Sequence, residues 1–176
     1  MNKIEIKGTE YDFIGGFDEM NLETDFKFIK ILQDEKSNLY KLMDIISLFS
    51  GISVDMLKKC NLDAIKSIDI NWCFKEIDKE IVKVFEINGV KYGFVDVNNL
   101  TLAEYADLEY VSQEKEAEYQ NIHKVTAILY RPLINDIVEE YNSDTLNERA
   151  ELFKDEMPIS VLYPVFNFFL NIGSVL

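Results

Sequence analysis

Apolar and polar residues alternate in two short stretches of the chain, IEIKGTEYDFI at residues 4–14 and FEINGVKYGFV at residues 85–95. Alternation with a period of two is typical of a β-strand that buries one face. In the second stretch the strands would meet at Asn88-Gly89, a dipeptide that tolerates the positive φ angles of a type I′ turn. The first stretch has Lys7-Gly8 at the matching position. Both stretches therefore predict β-hairpins.

The similarity continues into the residues that follow each hairpin. Leu22 matches Leu102, and the apolar residues after each recur at helical spacing. Thr101 is a predicted N-cap, because Glu104 three residues later can complete a capping box. Asn21 can take the same role in the first copy. Each hairpin is therefore predicted to lead into an amphipathic helix.

A second helical pattern follows in both halves, beginning at Asn38 and at Asn121. The sequence thus predicts two copies of a hairpin followed by two helices, at residues 1–82 and 83–176, packed as one compact body. The fold class expected is α+β and mostly helical, with two short β-hairpins and a C-terminal apolar helix. Two unrelated segments that happen to look alike are the alternative explanation.

The two halves diverge after these helices. In the first half, Gly51 can end a helix in the left-handed conformation and Ser53 can cap the next one. Short helical segments are expected there, including one from Trp72 to Val82. In the second half, Pro132 disfavours helix at the preceding residue, so the helix is expected to stop or kink near it.

No charged residue occurs between Met157 and the C-terminus. The length of this segment would permit a membrane span. Two prolines, two asparagines and acidic rather than basic flanking residues argue against a span. The better interpretation is a buried helix kinked at Pro164 that packs Phe166, Phe168 and Phe169 into a core or an interface.

The composition is that of a globular protein, with 48% hydrophobic and 12% aromatic residues among 176. The net charge of −14 argues against direct binding to nucleic acid, which requires basic surface. Arg131 and Arg149 are the only arginines. An acidic surface suits solubility or a partner with basic patches.

Candidate chemistry is sparse. His123, the only histidine, matches Tyr40 of the first copy and has no recognisable catalytic partner. Cys60 and Cys73 have no companions at zinc-binding spacing and are expected to be free thiols in a reducing compartment. The stretch from Asp96 begins like an EF-hand loop, but Leu100 occupies a ligand position. We therefore expect no catalytic residue, cofactor or metal.

Several segments resemble small proteins from the structural gene modules of tailed bacteriophages, including crAss-like phages. These segments are the helix start from Leu100 to Glu109, the Asn-led helix ending in ILYRP (residues 121–132), and the NERAELF run that ends at Phe153. The segment from Ser47 to Lys59 is similar to one found in small tail-assembly proteins. The motifs concern helix boundaries and packing rather than catalysis.

The resemblance implies a non-enzymatic virion protein made in the cytoplasm of the host bacterium. Head–tail connector or tail-ring subunits and packaged internal proteins are the expected roles, with other phage structural proteins as partners and a homo-oligomer or ring in the virion. A transient tail-assembly chaperone and a host-directed enzyme or inhibitor are the alternatives. The candidate contact residues lie in the LYRP segment and the C-terminal helix: Leu129, Tyr130, Arg131, Pro132, Tyr163, Phe166, Phe168 and Phe169.

Overall fold

The computed structural model describes residues 2–113, 119 and 121–173, with the backbone alone for residues 171–173. The chain divides into two compact units, residues 1–76 and 77–176. The boundary lies six residues before the one predicted from the repeat. The prediction of a mostly helical α+β fold is confirmed.

The first unit consists of one hairpin and four helices in the described residues. Its elements are β1 (Asn2–Ile6), β2 (Thr9–Phe13), α1 (Leu22–Gln33), α2 (Asn38–Ser50), α3 (Val54–Leu57) and α4 (Leu62–Lys66). Strands β1 and β2 form a two-stranded antiparallel sheet. The predicted caps are confirmed, because Asn21 and Ser53 accept backbone N–H groups of α1 and α3, and Gly51 is left-handed with φ 69°.

Aliphatic and aromatic side chains share the core of the first unit. Its aliphatic cluster comprises Ile6, Met43, Ile46, Ile52, Leu57 and Ile65. Phe49 is the centre of the aromatic part, and its ring lies 5.1 Å from that of Trp72 and 5.6 Å from that of Phe28. Trp72 is therefore a packing residue. The prediction of a helix from Trp72 to Val82 is wrong, since only a short 3₁₀ turn, Asn71–Phe74, forms there.

The second unit has a larger sheet than the sequence predicted. Its elements are β3 (Val84–Ile87), β4 (Val90–Phe94), α5 (Leu102–Ser112), α6 (Ile122–Leu129), β5 (Tyr130–Ile134), β6 (Ile137–Val138), α7 (Leu146–Glu156) and α8 (Ile159–Gly173). Strands β3, β4, β5 and β6 form one antiparallel sheet in that order. The two predicted hairpins thus belong to separate sheets, and a third hairpin, β5–β6, was not predicted.

All three hairpins use two-residue turns with positive φ at both central positions. The φ angles are 52° and 78° at Lys7-Gly8, 51° and 80° at Asn88-Gly89, and 52° and 62° at Asn135-Asp136. Such turns match the twist of the flanking strands, which explains why each connection needs only two residues.

The two units share more than the order of their first elements. In each, a 3₁₀ turn follows the hairpin, and the chain then enters a helix at Asn21 or at Thr101. In each, the residue directly after the hairpin bonds to the end of the second helix. The N–H of Ile14 donates to the carbonyl of Phe49, and the N–H of Val95 donates to the carbonyl of Leu129, both at 2.9 Å. The repeat therefore extends to equivalent hydrogen bonds.

Helix α6 packs against α5, α7, α8 and β5 and is almost entirely buried. It ends at Leu129, before Pro132, in agreement with the sequence prediction. The chain then continues directly as β5, in which Tyr130 pairs with Phe94 of β4. In the first unit α2 ends instead at the left-handed Gly51, so the two copies differ from this point on.

Gly93 of β4 gives a direct test of packing in the second sheet. A Cβ at this position would lie 2.7 Å from Leu133 Cδ2 and 3.2 Å from Val138 Cγ2. We expect Gly93→Ala to lower the free energy of unfolding by about 1–3 kcal/mol through overpacking, measured by urea denaturation. Gly16→Ala is the matched control, because nothing lies within 4 Å of a Cβ there. Equal effects of the two substitutions would contradict this packing.

Candidate functional site

Half of the LYRP segment, which was predicted as a contact surface, is buried in the second unit. Leu129 is 2% exposed and Tyr130 is fully buried. The Tyr130 hydroxyl donates to the Val82 carbonyl, and burial raises the pKa of Tyr130 well above its usual range. Arg131 and Pro132 are partly buried in β5. Leu129 and Tyr130 therefore offer no surface to a partner, whereas Arg131 and Pro132 keep part of theirs in solvent.

The aromatic residues predicted on the C-terminal helix are incompletely buried. The first half of α8 is core, with Ile159, Leu162 and Val165 fully buried. Pro164 lies inside the helix.

The second half of α8 differs from the first. Phe166, Phe168 and Phe169 are half-buried, as is Tyr163, and Leu170 is 43% exposed. We call these five residues the α8 aromatic surface.

Among the described residues, two ring contacts hold the α8 aromatic surface to the rest of the second unit. Phe168 meets Phe94 edge-on at 5.8 Å between ring centroids, and Phe166 meets Tyr119 at 5.0 Å. Each ring is thus anchored on one side and keeps part of its area in solvent. Residues 174–176 of the predicted apolar segment lie outside the described residues. No helix in the described part of the chain is long and apolar enough to cross a membrane.

Both arginines of the chain lie in a buried polar cluster of the second unit. Glu104 is 1% exposed, and its Oε1 lies 3.1 Å from Nη2 of Arg131 on β5. Its other oxygen accepts the backbone N–H of Thr101 at 2.6 Å and the hydroxyl of that residue at 2.7 Å. One carboxylate therefore completes the capping box of α5 and also neutralises a partly buried guanidinium.

Tyr141 extends the cluster toward α5. Its hydroxyl donates to Asp107, and its ring lies 5.9 Å below the guanidinium of Arg131. Burial, reinforced by the hydrogen bond and charge of Asp107, raises the pKa of Tyr141 well above its usual range. The phenol is therefore a permanent donor at neutral pH.

Arg149 of α7 connects the cluster to the end of α6. Its Nε donates to the carbonyl of Ala127 at 2.8 Å, and its Nη1 donates to the Thr145 hydroxyl at 3.3 Å. The last carbonyls of a helix lack intrahelical partners and carry partial negative charge, so a cation there is favourable. Burial lowers the pKa of Arg149, and the positive charge of Arg131 acts in the same direction.

The cluster combines two carboxylates, Glu104 and Asp107, with two guanidinium groups, Arg131 and Arg149. Each acidic group already accepts from a neighbour, so the arrangement serves to hold α5, α6, β5 and α7 together. The sequence predicts Glu104 only as part of a helix cap. The one signal that could have revealed the cluster is that the chain has only two arginines, since arginine is favoured in buried ion pairs.

The other residues considered for catalysis or metal binding, His123 and Asp96, have structural positions. His123 is buried in α6, at 5% exposure. Asp96 caps the 3₁₀ turn Val97–Asn99, and the N–H of Asn98 and the side chain of Asn99 donate to its carboxylate, which lowers its pKa. Among the described residues no group of histidine, cysteine or acidic side chains could hold a metal ion.

The two thiols differ in environment and should differ in reactivity. Cys73 is 6% exposed, its Sγ donates to the Ile70 carbonyl at 2.9 Å, and burial raises its pKa to about 12. Cys60 is a free thiol of intermediate exposure. Because the thiolate is the reactive form, we expect Cys73 in a Cys60→Ser variant to react with Ellman's reagent at least about tenfold more slowly than Cys60 in a Cys73→Ser variant. Equal rates in folded protein would contradict the buried placement of Cys73, and urea should equalise the two.

Comparison with protein-family models, curated proteins and solved structures finds no match to this chain.

Proposed function

We propose that this chain is a non-enzymatic structural protein of a tailed-bacteriophage virion that acts through protein–protein contacts. The observation that carries the proposal is the α8 aromatic surface. It places four half-buried rings and an exposed leucine on one helix that carries no charged residue. Apolar surface that folding leaves open, in a segment without charges, is typical of protein interfaces.

The resemblance to phage structural-module proteins supports the virion as the setting. Two of the segments that carry it have structural roles in the second unit. Thr101 and Glu104 form the capping box of α5, and Arg149 caps the end of α6. The proposed subunit would be a connector, tail-ring or internal protein, contacting other virion proteins or copies of itself through α8.

A transient tail-assembly chaperone is the second candidate function. The net charge of −14 favours it, because a strongly acidic surface keeps a bound basic component soluble. Mass spectrometry of gradient-purified virions of the encoding phage separates the two functions. A virion subunit should be present at a fixed copy number relative to the capsid protein. Its absence from virions that assemble only when the gene is intact would reject the structural role and favour the chaperone.

The contact surface can be tested in the same virions. Removing all of residues 157–176 would be uninformative, because Met157, Ile159 and Leu162 are fully buried and the unit would lose core. Leu170→Asp instead places a charge on the α8 aromatic surface at a residue that is already 43% exposed. We expect this variant to remain folded by circular dichroism and to be depleted from virions.

The matched control is Leu62→Asp, at a residue of the first unit that is 47% exposed. This variant should enter virions at the normal copy number. If both variants enter normally, α8 is not the contact surface. If both are depleted equally, the loss does not come from α8.

A further inference from the structure

Helix α5 carries apolar side chains on the side that faces solvent. Leu102 is 84% exposed, Tyr110 is 69% exposed and Tyr105 is 44% exposed, and Ala106 between them is exposed too. These residues are spaced three, four and eight positions apart, so they share one side of the helix. We call them the α5 outer face. We propose that this face docks a second protein through an apolar surface flanked by lysine or arginine.

The opposite side of α5 is held by polar contacts. Glu104 is the one fully buried residue of the helix, bonded to Thr101 and paired with Arg131. Asp107 accepts from Tyr141. A surface helix ordinarily turns its apolar side inward and its charges outward. Folding of the unit therefore does not explain why the largest apolar side chains of α5 are exposed, whereas docking of a partner does.

The repeat offers an internal comparison for this face. Leu22 is the first residue of α1 after its cap, as Leu102 is in α5, and it is 1% exposed. Asp25, which corresponds to Tyr105, is 8% exposed. At these two positions the equivalent helix is thus covered in one copy and open in the other, whereas Lys30, which corresponds to Tyr110, is exposed as well. The open copy also carries tyrosine, a residue that interfaces favour, where the covered copy has aspartate.

Charge identifies the kind of partner. Helix α5 contains Glu104, Asp107 and Glu109 and no lysine or arginine, and Glu109 lies between Tyr105 and Tyr110 on the outer side. A second copy of the chain would bring another net charge of −14 to the contact, which repulsion opposes. A partner with apolar residues for the tyrosines and basic residues for Glu109 is complementary in both respects. This inference stands independently of the α8 aromatic surface and of the virion role.

The test uses the full chain and a defined probe, a fluorescein-labelled amphipathic helical peptide with leucine along one side and lysine on both flanks. Binding is measured by fluorescence anisotropy at about 0.15 M salt, where distant surface charges are largely screened. We expect the double variant Leu102→Ser, Tyr110→Ser to weaken binding by about tenfold or more. The matched variant Leu39→Ser, Tyr40→Ser removes the same two side-chain types from α2, where they are 46% and 51% exposed, and should leave binding unchanged.

Two further measurements make the result decisive. Glu109→Lys changes one exposed charge, so it leaves the fold intact by circular dichroism and should also weaken binding of the lysine peptide. A control peptide with serine in place of leucine should bind at least tenfold more weakly than the leucine peptide.

Three outcomes would overturn the proposal. The first is that the α5 and α2 variants weaken binding equally, which would mean general attraction to an acidic surface. The second is that neither the double variant nor Glu109→Lys changes binding. The third is sedimentation showing a dimer that the α5 double variant dissociates, which would assign the outer face to a second copy.

Discussion

Replacing Glu104 with alanine is expected to lower the free energy of unfolding by about 3–5 kcal/mol. The substitution removes both hydrogen bonds to Thr101 and leaves Arg131, whose side chain is 12% exposed, without its counter-charge. Most of the loss comes from the uncompensated guanidinium, because loss of a helix cap alone costs about 1 kcal/mol. Urea denaturation followed by far-UV circular dichroism measures the effect.

Three variants separate the contributions at this residue. Thr101→Ala removes the cap and keeps the ion pair, so it should cost about 1 kcal/mol. Glu23→Ala in α1 is the control for an exposed ion pair, because Glu23 Oε1 lies 2.6 Å from Lys27 Nζ in solvent. It should cost no more than about 0.5 kcal/mol. In the double variant Glu104→Leu, Arg131→Met the two losses should be far from additive, because no buried charge remains. A cost for Glu104→Ala no greater than that for Thr101→Ala would show that the ion pair contributes nothing.

The parts of the fold that depend on nearby residues were predictable from the sequence. Asn88-Gly89 and Lys7-Gly8 specify their turns through local backbone preference, and the structure has positive φ at all four residues. The caps at Asn21 and Thr101 were found for the same reason, since a cap bonds residues two or three positions away. Local chemistry was sufficient in each case.

The third hairpin, β5–β6, was not predicted, because its first strand depends on residues far away in the sequence. Asn135-Asp136 is a recognisable turn signal, and Leu133, Ile134, Ile137 and Val138 around it are strand formers. Pro132, however, predicts only the end of a helix. Strand β5 exists because it pairs with β4, some forty residues earlier in the chain. Such a pairing depends on tertiary structure, and Tyr130, predicted at a contact surface, is buried in it.

The candidate sites divide in the same way. The half-buried rings of α8 lie in the uncharged segment that drew attention to them in the sequence. The α5 outer face was not predicted. A leucine directly after a helix cap is expected to be buried, as Leu22 is, so the sequence gives no reason to place Leu102 in solvent. The contacts of Glu104 with Arg131 and of Asp107 with Tyr141 determine which side of α5 faces inward, and neither is visible in the sequence.

Truncating Phe153 is expected to produce the second large loss of stability. This side chain of α7 is fully buried, and its ring meets those of Tyr92 at 5.0 Å and Phe85 at 5.6 Å, both edge-on. Phe153→Ala removes apolar area, leaves a cavity between helix and sheet, and breaks two favourable ring contacts. We expect a loss of about 3–5 kcal/mol. Far-UV circular dichroism is the appropriate signal, because the only tryptophan, Trp72, lies in the first unit.

A graded series attributes this loss to the cavity. Phe153→Leu keeps most of the volume and should cost about 1.5 kcal/mol or less. Phe74→Ala, at a ring that is 59% exposed, removes the same atoms where solvent already reaches them and should cost less than about 1 kcal/mol. If Phe153→Ala costs no more than Phe74→Ala, the ring does not join α7 to the sheet. If Phe153→Leu costs as much as Phe153→Ala, the edge-on ring contacts contribute more to stability than the filled volume does. Leucine replaces the volume of the side chain but not its ring.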